Sequence, residues 1–331
     1  MKATIYDVAD TAGLSIATVS RYINGKGSIK EKNKEKILRA IELLNYVPDA
    51  SAQGLASGLA GAIGLVITHW GENLKSQYLH QFTVGLFQVV QESGADLLLV
   101  QMEGDAQKAC WDVLTRKRVD GIVFAGTQKA AQKYLMGLYQ EKFPMVYAGH
   151  RCEWDERGCD IYGGFSGYRK DVIKLLNSRG CKRILCIEET AETAQKMRNI
   201  ILEEGWQDSI VGLTSFEGFT EEQVHKTLLQ WLRREDRPDA VFFIHYRLAG
   251  CVYAAVGEAG LSIPKDLKLV STIHSEEEDG LYFPNTAVVY INAYQMGYQA
   301  GKKLIGLVNH TPLLPEWDRV SYEIRLNQTV G

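Results

Sequence analysis

From residue 61 onward the chain alternates short apolar runs with longer amphipathic stretches, and it does so twice. "GAIGLVIT", "DLLLVQ", "GIVFAG" and "MVYAG" make a first series; "RILCIE", "SIVGLT", "AVFFI", "LKLVST" and "TAVVYI" make a second. Runs this short, separated by helical stretches such as 78–93 and 106–117, read as strands covered on both faces. Such alternation demands parallel sheets with helices on either side, an α/β architecture. Two series predict two lobes with doubly wound sheets, whose ligands sit beyond the carboxyl ends of the strands.

The first part of the chain has a different texture. Thr4 is a good N-cap, and Ile5, Val8, Ala9 and Ala12 share one helical face. Gly13 ends that helix and Ser15 caps the next, where Val19, Tyr22 and Ile23 form the apolar side before Asn24-Gly25 stops it. A third helix is predicted from about Glu31, with Ile37, Ala40, Ile41 and Leu44 buried, and Pro48 breaks the chain. The second helix leaves Ser15, Ile16, Ala17, Thr18, Ser20 and Arg21 outward. This is the pattern of a helix-turn-helix, whose second helix enters the major groove. Small hydroxyl residues let it lie close to the duplex and bond phosphates, while Arg21 can reach a guanine. A three-helix bundle with an ordinary polar face is the plainer alternative.

Charge agrees with a polyanionic partner. Residues 1–39 hold eight basic and four acidic side chains, a net +4, while the whole chain of 331 residues carries −3. A basic end on an acidic body points to nucleic acid. The stretch Leu59–Ile67 is too short and glycine-rich to span a bilayer, and Asp7 and Asp10 stand where a signal peptide needs apolar residues. The six cysteines (Cys110, Cys152, Cys159, Cys181, Cys186, Cys251) form no CxxC pair, and most of them read as buried thiols in strands or helices. A cytoplasmic protein with no membrane segment is expected.

"TIYDVADTAGLSIATVSRYING" resembles the DNA-binding headpiece of the lactose-repressor (LacI/GalR) family, and "LLNYVPDASAQGLASG" resembles its hinge. The resemblance continues through "VDGIVF", "EAGLSIPKDLKLV" and "AYQMGYQAGKKLI", and covers essentially the whole chain. It implies a headpiece over 1–48, a hinge helix or linker over 49–60, and a two-lobed, periplasmic-binding-protein-like effector and dimerisation domain over 61–331. It places Tyr6, Ser15, Thr18, Ser20 and Asn24 at backbone-contacting positions and Ile16, Ala17 and Arg21 at base-reading ones. Leu55 takes the position that wedges into the minor groove, where an apolar side chain kinks DNA. The partners implied are operator DNA, a second copy of the chain and a small effector.

The pocket departs from the family pattern. Where sugar-binding members place an Asn-Asp pair, this chain has His245-Tyr246; the usual Phe-Asp-Asp becomes Ile273-His274-Ser275. Gly163-Gly164 replaces Asp-Asn, and Gly149-His150 replaces Asp-Arg. Arg198 survives at a position where the family keeps a ligand-binding arginine. His69, Trp70, His150, His245, Tyr246 and His274 all fall at or just after predicted strand ends. A cleft lined by imidazoles, aromatics and an arginine suits an anionic, aromatic or phosphorylated effector better than a neutral sugar.

Metal binding by these histidines with Cys152, or by the acidic run Glu276–Asp279, is the alternative use of the same residues; no HxxxH or HExxH spacing supports it, and the run reads as a solvated loop. No GxSxG, P-loop or dinucleotide fingerprint is present, so neither catalysis nor a cofactor is expected. The expectation is a dimeric, non-enzymatic transcriptional regulator, a repressor on a pseudo-palindromic operator. The rivals are a ligand-binding protein or enzyme with a merely structural front end, and a regulator without effector response. "EIRLNQTVG" at the end shows no leucine heptads and predicts no tetramerising tail.

Overall fold

The computed structural model describes residues 3–23, 28–47, 59–67, 76–102, 116, 118–125, 135–148, 160–161, 165–216, 218–244, 246–281 and 284–330. Asn24, the 49–57 segment with Leu55, His69, Trp70, His150 and His245, along with Cys110, Cys152 and Cys159, lie outside the described residues. The chain divides into two compact units, a smaller one of residues 1–62 with 113–120 and a larger one of residues 63–112 with 121–331.

The smaller unit begins with helix α1 (Ile5–Ala12), opened by a reciprocal cap: the Thr4 hydroxyl accepts from the Asp7 amide, and the Asp7 carboxylate accepts from the Thr4 amide at 2.8 Å. A cap of this kind contributes about 1 kcal/mol. Gly13 closes the helix at φ 63°, a left-handed conformation that glycine adopts without a Cβ clash. Helix α2 (Ile16–Ile23) starts at Ser15, whose hydroxyl accepts from the Thr18 amide. Helix α3 spans Glu31–Leu43. Val8, Ala9, Ala12, Val19, Ile37 and Ala40 form the core, with Ile5, Leu14, Tyr22, Ile23, Ile41, Leu44 and Tyr46 packed around it. The three alanines keep the helices close enough for so short a segment to share one interior.

The larger unit carries two sheets. The first has the order β2-β1-β3-β4-β5, formed by β1 (Ala62–Ile67), β2 (Asp96–Gln101), β3 (Gly121–Ala125), β4 (Met145–Ala148) and β5 (Asp160–Ile161). The second has the order β11-β10-β9-β8-β6-β7: β6 (Ile184–Glu188), β7 (Ile210–Ser215), β8 (Ala240–Phe243), β9 (Lys268–Ile273), β10 (Ala287–Ile291) and β11 (Tyr322–Arg325). β1–β3, β3–β4, β4–β5, β6–β7, β6–β8, β8–β9 and β9–β10 pair in parallel, and only the β10–β11 pairing is antiparallel among those described. Residues of β3, β4, β6 and β8 are buried throughout, as the unbroken apolar runs require of strands covered on both faces.

Both sheets therefore place the second strand of their series outside the first and the third on its other side. The order reverses at β1 in one lobe and at β6 in the other, which makes each a crevice for ligand at its carboxyl edge. Helix α4 (Gln77–Glu92) belongs to the first lobe; α5 (Phe165–Ser178), α6 (Ala191–Glu204), α7 (Glu221–Leu232) and α8 (Ala249–Glu258) belong to the second. Helix α9 (Ala293–Val308) follows the second lobe's β10 yet packs on α4, β3 and β4. Its fit against α4 is so close that a methyl on Gly297 would collide with the Phe82 carbonyl, and one on Gly85 with the Tyr294 carbonyl. The chain then returns to the second sheet as β11, and a last turn, α10 (Asn327–Val330), packs on β9 and β10. β5 and β11 are strands that the apolar pattern did not announce.

Candidate functional site

On α2, Val19 is fully buried and fixes the rotation of the helix, so that Ser15, Ile16, Ala17 and Arg21 face outward. Thr18 and Ser20 are half-buried rather than fully exposed: Thr18 shares a 2.8 Å hydroxyl contact with Ser15, which binds it to the helix start. Arg21 Nε donates to the Ala17 carbonyl at 3.2 Å, laying the guanidinium along its own helix. Ile16 is 43% exposed and Tyr6, on α1, 62%. Both side chains stand outside the core of the unit, on the side away from Val19 in the case of Ile16. The flanking α3 adds Lys32, Lys34, Lys36 and Arg39, with Lys34 3.0 Å from Glu31.

The second-lobe crevice opens where β6 ends between β7 and β8. Glu188, the last residue of β6 at that reversal of strand order, is 2% exposed and is gripped by Arg169 of α5, 6% exposed, through two bonds: Nε to Oε1 at 2.9 Å and a terminal nitrogen to Oε2 at 2.7 Å. Removing either partner of such a pair strands a buried charge, a loss of about 3–5 kcal/mol. The guanidinium also lies 5.0 Å from the Tyr168 ring centroid. Burial and the Glu188 carboxylate act in opposite directions on Arg169, and the carboxylate together with Tyr168 keeps it firmly protonated. Neither Arg169 nor Glu188 stands out in the sequence, since an ion pair between distant positions has no local spacing.

His274 follows β9 and meets the first lobe directly: its ring lies edge-on to Tyr78 of α4, centroids 5.1 Å apart. The Tyr78 hydroxyl donates to Met296 Sδ of α9 at 3.7 Å, and burial pushes its pKa up. Tyr78 is the crevice residue that sequence reasoning missed; its position in the first turn of the helix after β1 was the available signal. Tyr246 is different from expectation. It is only 4% exposed, and its ring joins the second lobe's core with Leu248, Val252 and Ile273 instead of lining an open wall. Burial raises its hydroxyl to a pKa of about 12. Arg198 is exposed on α6, about 10 Å along the helix from its first residue, and makes no side-chain hydrogen bond among the described residues.

The acidic run keeps Glu276 and Glu277 exposed, as a solvated loop does, but the segment is also tied down. Arg325 of β11 binds Glu276 at 2.6 and 3.0 Å, Asp279 at 3.1 Å and Glu323 at 3.0 Å, and stacks 4.6 Å from the Tyr290 ring centroid. Glu278 turns back to accept from the His274 and Ser275 amides at 2.8 and 3.2 Å. The run is a clasp that shapes the loop carrying His274. Among the described residues no group of three or more His, Cys, Asp or Glu side chains is arranged to hold a metal ion. No helix of the described residues is long and apolar enough to cross a membrane.

A helix-turn-helix unit joined to a two-lobed ligand-binding fold defines a class: DNA-binding regulators whose larger domain is built like a periplasmic binding protein. The model for bacterial regulatory proteins of the lacI family matches residues 4–49, and that for the periplasmic binding protein-like domain matches residues 173–329. Catabolite control protein A of Staphylococcus xylosus is 30% identical over 284 residues, 82% of each chain. The HTH-type transcriptional repressor PurR of Histophilus somni is 27% identical over 311 residues, 90% of each chain. In fold, the chain resembles the lac repressor dimer bound to operator and the anti-inducer ONPF, with a TM-score of 0.80, 20% identity, and 100% of this chain and 99% of that one covered. The chain belongs to the LacI family of transcriptional regulators.

Proposed function

We propose that this regulator binds a pseudo-palindromic operator as a homodimer and represses transcription under the control of a small effector. The observation that carries the reading is the outward face of α2, where Ser15, Ile16, Ala17 and Arg21 project from a helix locked by Val19. Residues 1–48 serve as the headpiece, 49–60 as the hinge with Leu55 as its minor-groove wedge, and 61–331 as the effector and dimerisation domain. Tyr6, Thr18, Ser20 and Asn24 hold the backbone. A dimer presents two recognition helices to a two-fold site, and Val84, Phe87 and Leu99 offer exposed apolar surface in the first lobe for a second copy to cover. The protein acts in the cytoplasm, without catalysis or a cofactor.

The effector carries a carboxylate, phosphate or similar group. Arg198 grips it, with His274, His69, Trp70, His150 and His245 around the cleft and Tyr246 behind it. The relatives and the operator-bound structure support regulation at DNA, and the loss of the Asn-Asp pair at 245–246 and of the aspartates at 273–275 supports a ligand other than a neutral sugar. Fluorescence anisotropy tests the central claim: the full chain should bind a duplex enriched by in vitro selection at least about 10³-fold more tightly than random DNA at matched salt. Equal affinity for both would sink the reading in favour of a binding protein with a structural front end.

A further inference from the structure

The floor of the second-lobe crevice continues into a chain of contacts that ends where the polypeptide re-enters that lobe. Glu188, at the carboxyl end of β6, is held by both sides of the Arg169 guanidinium. Arg169 lies on Tyr168, and the Tyr168 ring meets that of Tyr322 edge-on, centroids 5.9 Å apart. Tyr322 is the first residue of β11, the strand that follows the return from α9 in the first lobe. Its hydroxyl donates to Asp171 of α5 at 2.6 Å, and a Cβ on Gly167 would lie 3.2 Å from that hydroxyl. Gly167, Tyr168, Arg169 and Asp171 stand on the opening turns of α5, the helix that follows the first passage out of the first lobe. One turn of α5 thus touches both the crevice floor and the returning strand.

We propose that Arg169 and Tyr168 are positioning residues that tie the crevice floor to β11, so that a ligand seated over Glu188 is felt at the segment joining the lobes. The crevice as effector site comes from the function proposed above; the contact chain itself stands apart from it. The physical reason is rigidity: a buried, doubly bonded ion pair backed by two tyrosine rings has few alternative arrangements, so displacing one end moves the other. Arg169 is committed to Glu188, which makes Glu188 a structural anion of the floor.

The test is a cycle on the full-length chain with Glu188→Gln, Tyr322→Phe and the double variant, read by amide hydrogen exchange and thermal unfolding. Glu188→Gln should speed exchange several-fold at Tyr322–Arg325 as well as at its own strand, and Tyr322→Phe should do so at the end of β6. The double variant's midpoint should fall short of the summed single shifts by at least about 2 °C. Should Glu188→Gln not fold, Arg169→Met combined with Glu188→Leu removes both charges without stranding either, and overall stability can then stay level; losing the Arg169 contact on Tyr168 should still speed exchange at Tyr322–Arg325. Exchange changes confined to the mutated element, with additive midpoints, would overturn the proposal. Failure to bind DNA would overturn the regulator reading alone, because the cycle uses no DNA and no effector.

Discussion

In the structure Arg21 lies along α2, its Nε spent on the Ala17 carbonyl, and it must release that bond to reach a base. A bidentate contact to guanine is worth about 1–3 kcal/mol of discrimination. Arg21→Ala should therefore lose roughly 5- to 150-fold in affinity for a selected operator and much less for random DNA, where phosphates dominate. Anisotropy on both duplexes checks this; equal losses would remove the base-reading role. Glu276 offers a pH test. Hydrogen bonds from Arg325 hold its carboxyl below the ordinary value of 4.5. A carboxylate depressed in the folded state adds stability that is complete above its unfolded value and fades as pH falls through the folded one. Glu276→Gln should thus unfold at lower temperature than wild type near neutrality, and the gap should close as pH drops below 4.5. A gap independent of pH would mean the clasp does not depend on charge. At this scale the sequence showed local chemistry well: Thr4, Gly13, Ser15 and Val19 take the places their neighbours dictate. It did not show Tyr78 against His274 or Arg169 on Glu188, which only the fold brings together. Tyr246 turns from its strand end into the second lobe's core, a direction the apolar alternation alone does not fix.

Among the elements, legibility followed burial. β3, β4, β6 and β8 are apolar along their whole length because helices cover both faces, and their boundaries were readable to within a residue or so. β11, "YEIR", carries charges at the sheet edge, and β5 has two residues, so neither leaves an apolar run to read. Helix packing gives a prediction with opposite signs at two glycines. On α9, Gly297→Ala pushes a methyl into the backbone of α4, which has no side chain to swing away. It should destabilise by about 1–3 kcal/mol. On α8, Gly257 faces open space, so Gly257→Ala should stabilise by up to about 1 kcal/mol through helix propensity and a less flexible unfolded chain. Thermal midpoints of the two variants decide the matter, and a stabilising Gly297→Ala would contradict the close packing of α4 on α9.

Across the whole molecule, effector control needs a ligand that favours one arrangement of the lobes over another. Tyr78 and His274 bring the lobes into contact at the cleft. If Arg198 supplies the anion grip, calorimetry should detect sugar phosphates or acids binding to wild type, with the loss of about tenfold or more in affinity in Arg198→Ala that a charged hydrogen bond implies. Matched neutral sugars should bind poorly to both; tight binding of a neutral sugar that survives Arg198→Ala would contradict the anionic reading. The placement of α9 also governs the order in which the protein can be made. The first lobe's strands are translated early, but the helix that closes over β3, β4 and α4 arrives only with residues 293–308, after five strands of the second sheet have emerged. Until then the niche beside Gly121, filled in the finished protein by Leu304 and Val308, stays open to water. The lobe synthesised first is therefore among the last to be sealed, and a nascent chain stalled before residue 293 would present its apolar flank to whatever else the cell is folding.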